Sequence, residues 1–346
     1  MWLLAYGLLF LLTSALVIQT SFLGDVVLTT PLLAHLARTG PVDVVTTPSS
    51  ALLLKGHPAV RRVVVYDKRG ADRGMVGLVR LAATLRAGSP GAVAYLAQGS
   101  TRSALLAAIA GYRERVGFDT SAGRWLYTRR VRHRADQHHA ERLLRLALGD
   151  DAVIPTGSLT PALYPSAGDR ARVDELLHSA GATDERLIAL APGSVWATKR
   201  WPGFPALAQS LAAHGLIAVI GGEADRELAR AILAATPGAI DATGQLSLLE
   251  SAELIRRSAL LVTNDSLPQH LASAMGTRTL AIFGPTVPGF GFGPLAPHSM
   301  AVGHESLPCR PCHPHGPAVC PLGHHRCMRD LPEHLVLARA LTTLAA

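Results

Sequence analysis

The sequence predicts an α/β protein with two doubly wound domains that face each other across a cleft. Short apolar runs alternate with amphipathic stretches along almost the whole chain, which is typical of parallel sheets flanked by helices. The alternation is interrupted at residues 150–169, which contain three prolines and show little periodicity. Because 346 residues are enough for two hydrophobic cores, we interpret this segment as a linker between domains.

The elements of the first half follow from its apolar and amphipathic runs. Apolar runs predict strands at 15–20, 42–47, 62–66, 92–97 and 115–118. Helical spacing predicts helices at 28–38, 71–87 and 101–110. Residues 15–160 are therefore expected to form the first domain, after an apolar N-terminal extension at residues 1–14.

The second half repeats this arrangement. Its apolar runs predict strands at 187–191, 216–220, 259–263 and 279–283. Its amphipathic stretches predict helices at 203–214, 223–235, 247–257 and 268–276. We expect residues 161–330 to form the second domain and residues 331–346 to form a helix that packs back on the body. Two such domains place a ligand cleft between the carboxyl ends of both sheets.

The N-terminal extension is apolar, and the first eighteen residues carry no charge. A signal peptide would have a basic region and a small-residue cleavage site, and neither is clear here. An upstream start codon or a short segment that lies on a membrane would explain the extension.

The chain carries a formal net charge of +8, supplied mostly by arginine. Genome composition could explain this bias, or it could serve an anionic partner such as a nucleotide, an acidic glycan or a membrane surface. Nucleic acid is disfavoured, because basic residues are scattered and aromatic residues make up only 5% of the chain.

The first candidate site residue is Asp25, which follows Gly24 after the first predicted strand. A carboxylate at this turn could cap the following helix, orient or repel a bound phosphate, or accept a proton from a substrate. The three roles remain open on this stretch alone.

A phosphate-binding pattern follows the first strand of the second half, in LAPGSVWATKRWPGF. Gly193 would let backbone N–H groups approach an anion, and Ser194 and Thr198 add hydroxyl donors. Lys199 supplies a positive charge, and the next helix begins shortly afterwards. The alternative is an ordinary strand-to-helix loop with a solvated lysine.

A second loop at the same sheet edge contains Asp265 and Ser266, followed by His270 on a helix. Helix capping alone would explain Asp265. However, this loop falls where a ligand would lie, a carboxylate accepts hydrogen bonds from sugar hydroxyls, and a helix start can hold phosphate. We therefore assign these three residues to a ligand-binding site.

Two weaker candidates lie farther along the second half. Glu223 follows a glycine pair at the end of a strand, where it could hold a ribose diol or simply favour a helix start. Leu246 could contact an adenine ring, although core packing is the more frequent explanation for such a leucine.

All four cysteines fall within nineteen residues near the C-terminus: Cys309, Cys312, Cys320 and Cys327. This C-x2-C pair with two further cysteines predicts a structural zinc site, with free thiols as the alternative. Neither a G-x-G-x-x-G motif after the first strand nor a Walker lysine motif occurs, which disfavours a nicotinamide dehydrogenase and a P-loop enzyme.

Four stretches together resemble the family 9 glycosyltransferases, the ADP-heptose:lipopolysaccharide heptosyltransferases. They are SFLGDVVLTTPLL (21–33), APGSVWATKRWP (191–202), NDSLPQHLASAMGTRTLAIFGPT (264–286) and CRPCHPHGPAVCPLGHHRCM (309–328). They occur in the family's order and cover most of the chain from Ala15 onward. The cysteine-rich stretch resembles the heptosyltransferase II branch.

The resemblance implies a GT-B fold, with two Rossmann-like domains that bind the acceptor and the donor respectively. It implies inverting transfer of heptose from ADP-heptose to the lipopolysaccharide inner core on lipid A-Kdo, without a required metal. This cell-envelope reaction would take place in the cytoplasm, with peripheral contact to the inner membrane as an option. The alternatives are a glycosyltransferase with another nucleotide sugar, or a catalytically silent nucleotide-sugar-binding protein.

The resemblance also implies roles for single residues. Asp25 is similar to the family's general base, beside Gly24 on the acceptor side. Ser194, Thr198 and Lys199 would bind the diphosphate, and Lys199 would neutralise the leaving ADP. Asp265 would bind the heptose, Ser266 a phosphate and Glu223 the ribose. The family usually has glycine where this chain has Leu267, which puts the donor geometry in question.

Overall fold

The protein folds as two parallel six-stranded sheets, each flanked by helices. The computed structural model describes residues 14–88, 92–182 and 185–346. Within these residues the strand order is β3-β2-β1-β4-β5-β6 in the first sheet and β12-β11-β10-β7-β8-β9 in the second. Every strand pair is parallel. In both sheets the order reverses beside a central strand, which is the switch point where doubly wound domains bind ligands.

The first sheet and its helices occupy the first half of the chain. Its strands are β1 Ala15–Ile18, β2 Val42–Thr46, β3 Arg62–Val65, β4 Val93–Leu96, β5 Arg115–Phe118 and β6 Arg129–Val131. Its helices are α1 Leu23–Leu36, α2 Pro48–Ala51, α3 Gly74–Gly88, α4 Thr101–Ile109 and α5 His139–Leu148.

The second sheet repeats the alternation. Its strands are β7 Leu187–Ala191, β8 Leu216–Val219, β9 Ile240–Asp241, β10 Ser258–Asn264, β11 Thr279–Phe283 and β12 Met300–Gly303. Its helices are α6 Ala167–Ser179, α7 Phe204–Leu211, α8 Arg226–Ala235, α9 Leu248–Arg257, α10 Leu267–Met275, α11 Arg326–Arg329 and α12 Glu333–Ala345.

Each sheet is buried on both faces, so its central strands are mostly apolar. In β1, Leu16 and Ile18 pack in the cluster under α3 and α4, whereas Val17 packs under α1 on the opposite face. The alternation follows from the two-residue period of a strand. Val27 of α1 also joins the cluster that contains Leu271 of α10, so the two halves share apolar contacts beside the cleft.

Helix α1 begins five residues before the predicted helix at 28–38, and Asp25 therefore lies in its first turn. The predicted start was therefore wrong, and Pro31 lies inside the helix. Proline lacks the N–H that the Val27 carbonyl would accept, but the Thr30 hydroxyl donates to that carbonyl at 2.8 Å. The lost backbone hydrogen bond is thereby replaced.

Several elements lie outside the predicted set. They are α2, β6, α5, α6, β9, β12 and α11. The strands among them have two to four residues, too few for a clear alternation. Helix α6 begins inside the predicted linker, where Ser166 caps it through a capping box with Asp169.

The C-terminal helix α12 packs on the second half, because Val336, Ala340 and Leu344 belong to the same core cluster as Leu280 and Ile282. The predicted apolar extension lies, except for Ser14, outside the described residues. Within the described ranges, no helix combines the length and apolar character needed to cross a membrane.

Candidate active site

Two adjoining cavities lie at the carboxyl ends of the sheets. The first, of about 210 Å³, is lined from both halves, and we call it the interdomain cavity; its walls include Gly24, Asp25, Lys199, Asp265 and His270. The second, of about 400 Å³, is lined by the second half and is called here the second-half cavity; its walls include Gly193, Gly222, Asp225 and Leu246. Both are lined by Ser194, Ser266 and Leu267, so these residues stand where the cavities adjoin.

Asp25 lies on the first-half wall of the interdomain cavity, in the first turn of α1. Its side chain is mostly buried, with 17% of its surface exposed. Burial raises the pKa of the Asp25 carboxyl above its ordinary value, while hydrogen bonds with Ser21 and the Phe22 backbone and the charge of His270 act in the opposite direction. A carboxylate with a raised pKa is a stronger base than an exposed aspartate.

Gly24 allows the close approach of α1 to α10. A Cβ atom at this position would lie 2.6 Å from Cδ2 of His270. Any larger residue would therefore push the helix start away from the second half. Glycine at this position sets the separation of the two cavity walls.

Lys199 and Asp265 form a buried ion pair on the opposite wall. The Lys199 Nζ lies 2.6 Å from Oδ2 of Asp265, and the same oxygen accepts from the Thr286 hydroxyl at 2.6 Å. The other carboxylate oxygen accepts from Nε2 of Gln269 at 2.9 Å. Three donors thus fix the carboxylate, which in turn fixes the ammonium group at the cavity.

The hydroxyl-bearing candidates differ in where their side chains lie. Ser194 and Ser266 line both cavities. The Ser266 hydroxyl lies 3.3 Å from the Gly193 carbonyl. It can give up this contact and donate a hydrogen bond to an incoming anion instead. The Thr198 hydroxyl instead donates to the Pro317 carbonyl at 2.6 Å and anchors the C-terminal segment beside Lys199.

His270 is buried where the two halves meet. Burial lowers the pKa of His270 to about 4, so the ring is neutral near pH 7. Its Nδ1 has no hydrogen-bond partner among the described residues. Because the residue lines the interdomain cavity, this atom is a candidate for hydrogen bonding to a ligand.

Of the two weaker candidates, Leu246 lines the second-half cavity and Glu223 does not. Glu223 is 74% exposed, is not among the cavity's lining residues and pairs with Arg226 at 2.7 Å. Asp225, which the sequence did not single out, lines the cavity and accepts from the Gly222 N–H at 3.0 Å.

Leu267 is the first residue of α10, and its backbone conformation is ordinary. Among the described non-glycine residues only His298 and His325 have positive φ, so the backbone at Leu267 does not require glycine. Its side chain packs against the second-half core and lines both cavities. Any effect of Leu267 on donor binding would therefore come from the space that its side chain occupies, and not from its backbone.

The comparison with known proteins identifies the family. A sequence model of glycosyltransferase family 9 (heptosyltransferase) matches residues 78–319. The chain belongs to this family. Lipopolysaccharide heptosyltransferase 1 of Pseudomonas aeruginosa is 30% identical over 320 residues, which cover 86% of this chain and 85% of the relative.

Two solved structures share the fold of this heptosyltransferase. A family 9 glycosyl transferase from Veillonella parvula superposes with a TM-score of 0.84 at 24% identity, over 96% of this chain and 97% of that one. E. coli ADP-heptose lps heptosyltransferase II gives 0.78 at 24% identity, over 96% and 99%. The two facing sheets therefore form a GT-B architecture. Relatives of both subtypes match, so the assignment to heptosyltransferase II stays a prediction.

The residues of the heptosyltransferase's interdomain cavity that were not predicted include Trp196, Phe292 and His315. Phe292 belongs to the PGFGFG segment, and the alternation of glycine and phenylalanine in this segment indicates a tight loop. His315 lies inside the cysteine-rich stretch, which was interpreted from its cysteines as a zinc site and not as part of a cavity wall. Gly316 brings this stretch against Lys199, since a Cβ there would lie 2.6 Å from Cε of the lysine.

The four thiols of the heptosyltransferase are free and gather near the C-terminal end of the second half. Cys309 Sγ lies 3.9 Å from Nε2 of His324, and the Cys312 thiol donates to the Cys309 carbonyl. Burial raises the pKa of Cys327 to about 11. Among the described residues, no group of three or more His, Cys, Asp or Glu side chains is placed to hold a metal ion. A zinc site stays a prediction from the sequence.

Proposed function

We propose that this heptosyltransferase transfers heptose from ADP-heptose to the inner core of lipopolysaccharide on lipid A-Kdo, with inversion at the anomeric carbon. The observation that supports the chemistry is the arrangement of the interdomain cavity. A mostly buried carboxylate, Asp25, lines one wall, and a buried cation, Lys199, lines the other. An inverting transfer needs a base at the acceptor and positive charge at the leaving diphosphate.

In the proposed reaction Asp25 accepts the proton of an acceptor hydroxyl. The acceptor oxygen forms a bond to the anomeric carbon of the heptose as the bond from that carbon to the diphosphate breaks. ADP leaves with the electron pair, and attack from the face opposite ADP inverts the configuration. Asp25 must be ionised to act, and its raised pKa makes it a better proton acceptor once ionised.

The donor would extend from the interdomain cavity into the second-half cavity. Leu246 offers an apolar contact for adenine, and Ser194 and Ser266 stand between the cavities where a diphosphate would pass. Lys199 and the N-terminus of α10 would neutralise the charge that develops on ADP. Asp265 would accept hydrogen bonds from heptose hydroxyls. We propose that no metal is required, because these groups supply the charge.

An anionic acceptor is supported by basic residues at the carboxyl edge of the first sheet. Lys68 donates from Nζ to the Thr20 carbonyl at 2.7 Å, and Thr20 lies five residues before Asp25. Burial and then the charges of Arg69 and Arg102 lower the pKa of Lys68, so three cationic groups are close together. Carboxylates and phosphates of an inner-core acceptor would be attracted to this edge.

We also propose that the enzyme works in the cytoplasm and contacts an anionic membrane surface through α3. This helix exposes Met75, Val76 and Val79, with 58%, 73% and 50% of their surfaces exposed. Its sequence contains no acidic residue, and Arg73 and Arg80 flank the apolar side chains. Exposed apolar residues beside arginines suit the headgroup region of an anionic bilayer.

The transfer reaction is tested with Asp25→Asn, assayed for ADP release from ADP-heptose with a lipid A-Kdo acceptor. Turnover should fall by at least about a hundredfold, whereas ADP affinity should change little, because the amide cannot accept the proton. Asp151→Asn, at an exposed linker position, is the matched control and should keep full activity. Unchanged turnover in Asp25→Asn would remove the general-base assignment.

The donor is tested with a panel in which ADP-glucose and UDP-sugars replace ADP-heptose. Faster turnover with one of these would assign another nucleotide sugar to the site. Full activity after treatment with EDTA is expected, and loss of activity that Mg²⁺ restores would contradict metal-independent transfer.

The membrane contact is tested by flotation with vesicles of phosphatidylglycerol and, separately, of phosphatidylcholine. The protein should float with the anionic vesicles, and Met75→Ser/Val76→Ser should weaken this binding. Val153→Ser, which changes a linker residue that is 90% exposed, is the control. Equal flotation of wild type and the α3 variant would contradict the assignment of this surface.

A further inference from the structure

The start of α5 is fastened to a segment of the second half, residues 288–293. The His139 N–H donates to the Gly291 carbonyl at 2.7 Å, and Nη2 of Arg142 donates to the Phe290 carbonyl at 2.9 Å. Nε2 of His138 lies 3.0 Å from the Gly293 carbonyl. Three hydrogen-bonding contacts therefore connect the halves within two helical turns.

The Phe292 ring completes this connection. Its centroid lies 5.0 Å from that of the His139 ring, with the planes inclined by 33°. The Arg142 guanidinium lies 5.8 Å from the same centroid, close enough for a cation–π contact. Because Phe292 also lines the interdomain cavity, the segment joins α5 directly to the candidate active site.

Glycine at position 291 is required for this packing. Its φ is 94°, and a Cβ there would lie 2.6 Å from Nη2 of Arg142 and 2.6 Å from the Gln137 carbonyl. Both the backbone conformation and the close approach therefore exclude a side chain. Glycine at this position therefore allows the segment to pack directly against α5.

The connection places His139 beside Asp25. Nε2 of His139 lies 3.7 Å from Oδ1 of Asp25, and 15% and 17% of the two side chains are exposed. Burial, followed by the charge of Arg142, lowers the pKa of His139 well below its usual range. A neutral imidazole has one N–H to donate, and a small movement would bring it within hydrogen-bond distance of the carboxylate.

We propose that His139 is a positioning residue for Asp25: its Nε2–H orients the carboxylate toward the acceptor, and residues 288–293 hold His139 in place. This inference rests on the proposed function, in which Asp25 is the base. It makes the base's orientation depend on the second half, which carries the candidate donor site. The carboxylate is then correctly oriented only when the two halves are together.

Several other groups act on the same carboxylate and its partner. Ser21 and the Phe22 backbone hydrogen-bond with Asp25, and His270 and His315 face it from α10 and from the cysteine-rich stretch. Arg142, His138 and His133 act on His139 from α5 and the residues before it. Removal of the His139 donor alone leaves all of these in place, so its effect on Asp25 can be measured separately.

The test compares His139→Leu with His139→Gln, whose amide can present an N–H near the position of Nε2. His139→Leu should lower kcat by about ten- to a hundredfold, since small misplacements of a reacting group have effects of this size. Loss of the His139 hydrogen bond also destabilises the Asp25 carboxylate. The pKa of Asp25 therefore rises, and the acidic limb of the pH profile of kcat/KM moves to higher pH. His139→Gln should restore much of kcat and return the limb toward its original position.

A second variant, Phe292→Leu, keeps His139 but removes the aromatic contact that holds it. We expect a smaller fall in kcat and a shift of the acidic limb in the same direction, with ADP affinity unchanged. His178→Leu, at an exposed position in α6, is the control for loss of a histidine and should behave as wild type.

The outcomes separate this inference from the proposed function. If Asp25→Asn retains turnover, the base assignment itself fails. If Asp25→Asn is inactive but His139→Leu and Phe292→Leu leave the acidic limb where it was, His139 has a structural role only and the inference is overturned. Failure of His139→Gln to recover activity above that of His139→Leu would also contradict it.

Discussion

The ammonium group of Lys199 lies 2.6 Å from Oδ2 of Asp265, and both side chains are buried at the interdomain cavity. The lysine comes from the loop after β7, and the aspartate follows β10. These two strands are neighbours in the second sheet, so their carboxyl ends bring the charges together. The pair joins the loop that carries the candidate diphosphate residues to the start of α10.

Lys199→Met should lower both stability and turnover. The Asp265 carboxylate would remain buried without its cation, which typically costs about 3 kcal/mol. Turnover should fall by about a hundredfold or more, because positive charge at the leaving diphosphate is lost. Urea unfolding and ADP release measure the two effects, and Lys55→Met at an exposed site should change neither.

The coupling within the pair is measured by adding Asp265→Leu. The double variant should be more stable than the sum of the single effects predicts, since no buried charge is then left unpaired. Additive single effects would mean that the two side chains do not stabilise each other.

Gly24→Ala should destabilise the protein and reduce turnover, because the new methyl group would lie 2.6 Å from Cδ2 of the His270 ring. The matched control is Gly168→Ala. Both glycines are the second residue of a helix, but a Cβ at Gly168 meets only an ordinary contact at 3.6 Å. Thermal unfolding should show a lower Tm for the first variant and an unchanged or higher one for the second. Equal effects would contradict the close approach of α1 to α10.

Asp25→Asn should be more stable than the wild type at neutral pH while it is catalytically impaired. Burial raises the pKa of Asp25 in the folded state, so between the unfolded and folded values the folded protein binds more protons. Stability then decreases as pH rises through this window, and an ionised Asp25 destabilises the fold above it. The amide does not titrate, so its urea midpoint should exceed that of the wild type at pH 7, and the difference should shrink on acidification. A lower midpoint at pH 7 would contradict the raised pKa.

Much of the fold follows from local sequence pattern, because parallel strands buried on both faces are continuously apolar. The loops after β7 and β10 could be assigned to one edge for the same reason, and the contact between Lys199 and Asp265 agrees with that placement. The start of α1 could not be found, because most of this helix is buried and its polar face is too narrow to give a clear period.

The contacts across the cleft were beyond local pattern. His139 and Asp25 are far apart in sequence, and nothing in HHAERLLRLAL connects the histidine to an aspartate in α1. Phe292 reaches α5 only because the two halves face each other closely. Thr198 shows the opposite case: its hydroxyl suits an anion by type, but the fold directs it to the Pro317 carbonyl. Residue type predicts the available chemistry, whereas tertiary packing decides which atoms are used.

Acid should destabilise the protein between about pH 6.5 and pH 4 through two buried histidines. Burial lowers the pKa of both His57 and His270 to about 4 in the folded state, whereas the unfolded value is about 6.5. In this window the unfolded chain binds protons that the folded protein does not, so the free energy of unfolding falls as pH decreases. Each histidine should contribute about 3 kcal/mol to the loss, from a difference of roughly 2.5 pKa units.

His57→Gln measures this contribution away from the cleft, where the ring packs edge-on against Tyr164. The variant should lose less stability than the wild type between pH 7 and pH 4, because glutamine does not titrate. His270→Gln should show the same reduced slope, and His178→Gln, at an exposed position, should retain the slope of the wild type. Urea unfolding at a series of pH values gives these slopes. Since the two rings belong to different parts of the fold, their contributions should add in the double variant, and a double variant with the slope of the wild type would show that neither histidine is held neutral by burial.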